Sequence, residues 1–106
     1  MEPFKVETDR TEEIVRIRLI GEFDHLVAGH VDERLRSAQS ESDHDVVVDL
    51  QGVTSIDTAG IRALVSAALR AGEVGGRFRL IRGPDEVHRV FELEGLDKRL
   101  DFLDTG

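Results

Sequence analysis

Val46-Val47-Val48-Asp49-Leu50, followed after a short turn by Ser55-Ile56-Asp57-Thr58-Ala59-Gly60-Ile61, is the stretch that decides the fold. The first part is an apolar run without alternation, the pattern of a parallel strand covered on both faces, and it marks the centre of a sheet. The second part carries a hydroxyl, flanked by an acid, to the start of a helix. A helix start has unpaired backbone N–H groups and the positive end of the dipole, so a phosphate placed on Thr58 would be held there. The pair of segments reads as a place for a phosphorylation-controlled switch.

Working outward, strand and helix signals alternate without a linker. Phe4 to Thr8 alternates weakly and Ile14 to Ile20 alternates well, which predicts an antiparallel hairpin turning within Asp9 to Glu13. A first helix is expected after Asp24, a good N-cap residue type, with Val27, Val31, Leu35 and Ala38 facing inward. Ser40 to Asp45 reads as a polar loop. The second helix has the cleanest periodicity, with Ile61, Leu64, Val65, Ala68 and Leu69 at i, i+3, i+4, i+7 and i+8. Gly72 and Gly75-Gly76 are expected to end it, and Phe78 to Ile81 starts the next strand. A third helix is expected from about Pro84 to Glu94, with Val87, Val90 and Phe91 inward and Gly95 as its stop, and Leu100 to Leu103 as a short edge strand. The element order ββαβαβαβ implies one α/β domain over residues 1–106, with a mixed, mostly parallel sheet of about four or five strands built by right-handed crossovers. Ligand sites in such sheets lie beyond the carboxyl ends of the strands, where both Asp24 and Asp57-Thr58 fall.

Composition narrows the function. The 106 residues suffice for one core and are too few for two. The formal net charge of −8, with no run of Lys or Arg, lacks the footprint that phosphate-backbone binding requires, so no nucleic-acid partner is expected. The longest apolar run, Ala63 to Leu69, is broken by Ser66 and is far below the roughly twenty residues of a membrane span. Met1 to Lys5 has no apolar central region of a signal peptide, and a cytoplasmic address is expected. The absence of Cys removes thiolate chemistry, Cys-based metal sites and disulfides.

Four ordered pieces then carry a family likeness: Gly21-Glu22-Phe23-Asp24, Val48-Asp49-Leu50 through Ile61, the Gly75-Gly76 turn, and Val87-His88-Arg89-Val90-Phe91 with Gly95-Leu96. Together they resemble a STAS domain of the anti-sigma factor antagonist kind, over nearly the whole chain. The resemblance implies a bacterial regulator of transcription and stress response that works by partner switching. Unphosphorylated, it binds an anti-sigma factor that is itself a serine/threonine kinase and frees a sigma factor; phosphorylation ends the complex, and a phosphatase resets it. It implies Thr58 as the phosphoacceptor and Asp24, Asp57, Thr58, Ala59, Gly60 and Ile61 as the partner-binding surface. No cofactor is expected in this chain, because ATP and Mg would belong to the kinase, and a monomer or weak dimer is expected. The chain departs from the family where Ala59 replaces a frequent second hydroxyl, where Val27 replaces a frequent Thr or Ser, and where a final helix after Leu103 is missing or severely shortened.

Other readings of the same residues are weaker. Asp57 and Thr58 could only cap the second helix, leaving a STAS interaction or nucleotide-binding module of a larger assembly without a phosphoswitch. Glu22, Asp24, His25 and His30 do not place a His pair on one i, i+4 face, so no metal site is expected. Gly72-x-x-Gly75-Gly76 follows a helix and precedes a strand, the reverse of a phosphate-cradling loop. Asp57-Thr58-Ala59-Gly60 matches the Asp-x-x-Gly of small GTP-binding proteins, but no companion loop with a lysine exists in this chain. Thr58 has no evident His base, and the acid pair Asp24 and Asp57 has no nearby aromatic platform for a sugar. The chain is expected not to be an enzyme.

Overall fold

The computed structural model describes residues 3–41 and 45–104. Strands β1 (Lys5–Arg10) and β2 (Ile14–Phe23) form the expected antiparallel hairpin. Then come α1 (Ala28–Ser40), β3 (Asp45–Ile56), α2 (Thr58–Glu73), β4 (Phe78–Ile81), α3 (Asp85–Leu93) and β5 (Phe102–Leu103). The five strands stand in the order β1-β2-β3-β4-β5, with every neighbour from β2 onward parallel. This is the expected α/β architecture, with β3 at the centre.

Because each crossover steps one strand further in the same direction, right-handed connections put all three helices on one face of the sheet. The side chains agree. Val46, Val48 and Leu50 point to that face, as do Phe78 and Leu80 by register, and all are buried. Phe102, the register partner of Leu80, meets Phe91 of α3 with ring centroids 5.1 Å apart. Val31, Leu35 and Ala38 of α1 and Ala63, Leu64 and Ala67 of α2 complete the same core.

The second sheet face therefore carries no helix, which corrects the expectation that the valine run is covered on both sides by packed elements. Val47 is only 6 % exposed all the same. Its register neighbours are Arg16 and Arg79, and long arginine stems shield apolar surface while their charged ends stay wet. One row further, Asp49 is wholly buried. Its Oδ2 accepts from Arg16 Nη2 at 3.0 Å and Arg18 Nε at 3.4 Å, and its Oδ1 from the Gln51 N–H at 2.9 Å.

Several boundaries differ from the sequence reading. The hairpin turn is confined to residues 11–13, where Thr11 Oγ1 accepts the Ile14 N–H at 3.0 Å. α1 reaches Ser40 and β3 opens at Asp45, so the polar loop is shorter than Ser40 to Asp45, and residues 42–44 lie outside the described residues. No turn interrupts β3 after Leu50. The strand runs on to Ile56, because β2 also extends beyond Ile20 to Phe23 and the two stay paired through register shifts at Arg18/Ile20 and Gly21/Glu22. Such irregularities bend a strand without ending it. Gly72 lies inside α2. The helix ends at Glu73 and the chain turns at Gly75 (φ +70°), as expected of Gly75-Gly76, with the Gly76 N–H reaching back to the Ala71 carbonyl at 2.8 Å. Leu69 faces solvent rather than the core, and Ala63 and Ala67 take the inward positions. α3 is one residue shorter at each end than Pro84 to Glu94, and His88 joins Val87 and Phe91 in the interior. The edge strand is limited to Phe102–Leu103.

Candidate functional site

The site lies where β2 and β3 leave the sheet side by side. Phe23 and Ile56 are register partners, so the next residues, Asp24 and Asp57, emerge at one corner. The Asp57 N–H donates to the Phe23 carbonyl at 3.3 Å and closes that corner. This is the carboxyl end of two parallel strands, where such sheets place their ligands and partners.

Asp57 organises it. Its backbone is extended, which is the N-cap conformation, and its Oδ1 accepts the Gly60 N–H at 3.0 Å. Its Oδ2 accepts the His25 N–H at 2.9 Å, from the turn that leads into α1. His25 Nδ1 stands 3.6 Å from the same oxygen. One carboxylate thus caps α2 and holds the β2–α1 turn. The Gly60 N–H holds the Asp57 carboxyl below its ordinary pKa; partial desolvation opposes this, and the His25 and Ala59 N–H groups reinforce it.

Asp24 does a different job from the one expected of it. α1 begins at Ala28, with Val27 in the cap position and no side-chain cap, so Asp24 is not the N-cap of α1. Its Oδ1 accepts the Leu26 N–H at 3.0 Å, and its carbonyl accepts the N–H groups of Val27 and Ala28 at 3.1 and 2.9 Å. These bonds make a tight turn ahead of the helix, in which an Asp carboxylate bonds the backbone two residues on. Asp24 and Thr58 share the corner, with no hydrogen bond between them.

Thr58 is the first residue of α2 and is exposed, with a hydroxyl that takes no hydrogen bond from the described residues. Ala59 is half-buried. Gly60 and Ile61 are interior, so they support the corner from beneath. Gly60 is there for lack of a side chain: a Cβ would lie 2.7 Å from the Phe23 carbonyl oxygen and 2.9 Å from Ile56 Cγ1. That close approach presses the start of α2 against the paired ends of β2 and β3. From the sequence, His25 is weighed only as a metal ligand and Leu26 is not singled out. His25 supplies the N–H that Asp57 holds, and Leu26 projects into solvent; the only sequence signal was the apolar pair Leu26-Val27, of which a turn can bury one.

Among the described residues no group of three or more His, Asp or Glu side chains converges as a metal site, and no helix is long and apolar enough to cross a membrane. What the corner offers is an exposed hydroxyl at a capped helix start, beside carboxylates and on a rigid frame.

Residues 6–104 match the family described as "Mlab, STAS domain". The anti-sigma F factor antagonist of Paenibacillus polymyxa is 24% identical over 105 residues, covering 95% of this chain and 87% of that protein. In solved structures, an anti-sigma factor antagonist from Mycobacterium paratuberculosis superposes with a TM-score of 0.86 at 20% identity, over 97% of this chain and 87% of that one. The Bacillus cell fate determinant SpoIIAA in its phosphorylated form gives a TM-score of 0.71 at 22% identity, over 95% and 91%.

Proposed function

The chain belongs to the STAS domain family, and from that premise we infer that it is an anti-sigma factor antagonist switched by phosphorylation of Thr58. Unphosphorylated, it binds an anti-sigma factor kinase through the corner around Asp24, Asp57 and Thr58 and so frees a sigma factor. The observation that carries this reading is the placement of Thr58: exposed, first in α2, directly after the capping Asp57. The names of the relatives support it.

The switch is electrostatic. A phosphate adds about −1.5 to −2 charges at the corner that already carries the Asp24 and Asp57 side chains. Two unit charges about 4 Å apart at an effective dielectric near 20 interact by roughly 4 kcal/mol, and each 1.4 kcal/mol is about tenfold in affinity. Solvent screening cuts this by half or more, which still moves a micromolar complex out of its working range. Within the free protein the α2 dipole returns about 0.3–1 kcal/mol to a phosphate at its first turn. The phosphorylated chain is therefore stable while its complex is not. Catalysis, with ATP and Mg, resides in the kinase, and a phosphatase restores the hydroxyl.

The test compares binding of wild type, Thr58→Ala and Thr58→Glu to the purified anti-sigma factor. Wild type and Thr58→Ala should bind alike, and Thr58→Glu should bind at least about tenfold more weakly, from one added charge. Equal binding by all three leaves an interaction module without a phosphoswitch.

A further inference from the structure

Large apolar side chains are exposed at four places among the described residues: Leu26 (78 %), Leu69 (65 %), Val74 (77 %) and Leu93 (80 %). Three stand away from the corner. Leu69 follows Thr58 by eleven residues in α2, about 16 Å along the axis at a rise of 1.5 Å per residue. Val74 and Leu93 lie at the carboxyl ends of α2 and α3, and crossover helices run back against their strands, so both sit toward the amino ends of the parallel strands, opposite the corner. Leu26 alone belongs to the Thr58 corner.

Its backbone does not move freely. The N–H of His25 is held by Asp57 Oδ2 at 2.9 Å, that of Leu26 by Asp24 Oδ1 at 3.0 Å, and those of Val27 and Ala28 by the Asp24 carbonyl. Val27 packs against the core from the next position. An apolar side chain carried in water on a turn so fully bonded has already met most of the ordering cost of binding. The carboxylates of Asp24 and Asp57 hold the turn on either side of it, on a chain of net charge −8.

We propose that Leu26 is the apolar anchor by which this corner docks on its protein partner, and that the partner presents an apolar pocket rimmed by Lys or Arg. Leu26 has this role only if the chain binds an anti-sigma factor, as inferred above. The pocket follows from the exposed leucine, since burying one strengthens a complex by roughly ten- to a hundredfold. The basic rim follows from the Asp24 and Asp57 carboxylates and the net negative charge of the chain, which repel an acidic rim and steer a basic one into register. Anchor and switch then work on the same surface. A phosphate on Thr58 brings a hydrated dianion to the edge of the pocket that has to close over Leu26.

The experiment titrates the anti-sigma factors of the source organism, each produced as a purified protein, with wild type, Leu26→Ala, Leu69→Asp and Leu93→Asp at low and high salt. Leu26→Ala should weaken binding by about tenfold or more while its thermal midpoint stays that of wild type, because the side chain is mostly in water. Leu69→Asp and Leu93→Asp should bind as wild type does, and wild-type affinity should fall with salt. Binding by Leu26→Ala within about twofold of wild type overturns the anchor, as does an equal loss in Leu69→Asp or Leu93→Asp. Salt-independent affinity overturns the basic rim. If wild type binds none of the anti-sigma factors, the functional reading itself fails, and the anchor with it.

Discussion

The backbone N–H of His25 donates to Oδ2 of Asp57 at 2.9 Å, joining the turn after β2 to the start of α2. The other oxygen of the same carboxylate caps α2 through the Gly60 N–H at 3.0 Å. A side chain that helix capping alone would explain therefore also sets where Asp24 and Leu26 stand relative to Thr58.

Replacing Asp57 should loosen both loops together. Asn at this position keeps one acceptor oxygen for two N–H donors, and Ala keeps none. In Asp57→Ala the His25 and Gly60 amides should both exchange faster with solvent than in wild type, and in Asp57→Asn at least one of them should. The urea midpoint should fall in the order wild type, Asn, Ala. Unchanged exchange at His25 in Asp57→Ala would show that the turn stands without the carboxylate.

The same bonds set a pH dependence. The Gly60 N–H, opposed by partial desolvation and aided by His25 and Ala59, depresses the native pKa of Asp57. A depressed native value means that stabilisation is complete above the unfolded value near 4 and is lost as pH falls through the lower native value. Below about pH 4, wild type should lose stability more steeply than Asp57→Asn, and the two curves should run parallel at neutral pH. Urea unfolding across that range gives the comparison.

Gly60→Ala tests the contact beneath Thr58. The helix gains up to about 1 kcal/mol of intrinsic propensity from Ala. Against that, the new methyl meets a backbone oxygen at 2.7 Å, which cannot swing aside as a flexible side chain does. Overpacking of this kind costs about 1–3 kcal/mol, so a net loss of stability is expected in thermal unfolding. Partner affinity should fall with it, because the start of α2 is pushed off the corner.

On the helix-free sheet face, Asp49→Ala removes a fully buried acceptor shared by Arg16, Arg18 and the Gln51 N–H. Breaking a buried pair from one side costs 3–5 kcal/mol, and the two arginines are part-exposed, which places this variant near about 3 kcal/mol in denaturant unfolding. Removing both arginines as well should restore part of the loss, since the three charges act as one unit.

The sequence carried the order of elements because the helices have inward stripes, as in Ile61 and Leu64, and the strands have an apolar run at the centre, Val46 to Val48, and alternation at the hairpin, Ile14 to Ile20. It also carried Asp57 as the cap of α2 and Thr58 as the first exposed hydroxyl. It hid the second half of β3, because Gln51-Gly52 and Thr54-Ser55 have turn-like composition and become strand only through pairing with an equally extended β2. Asp24 looked like a cap, yet its side chain and carbonyl bond Leu26, Val27 and Ala28 in a turn that delays the helix to Ala28, and that turn is also tied to Asp57 more than thirty residues away. Leu69 satisfied the helical period but stands at the margin of the stripe, where small residues such as Ala67 let the helix pack closer. The burial of Val47 by arginine stems depends on neighbours more than thirty residues away and leaves no local pattern.

Transfer of phosphate to Thr58 is the most direct test of the central claim. The purified chain is mixed with its anti-sigma factor kinase and ATP, and intact mass, the modified residue and the complex are followed together. One phosphate should appear on Thr58 in wild type and none in Thr58→Ala, and the wild-type complex should dissociate as the phosphate accumulates. A complex that persists with Thr58 phosphorylated, or one that dissociates on ATP with Thr58 unmodified, would contradict the account.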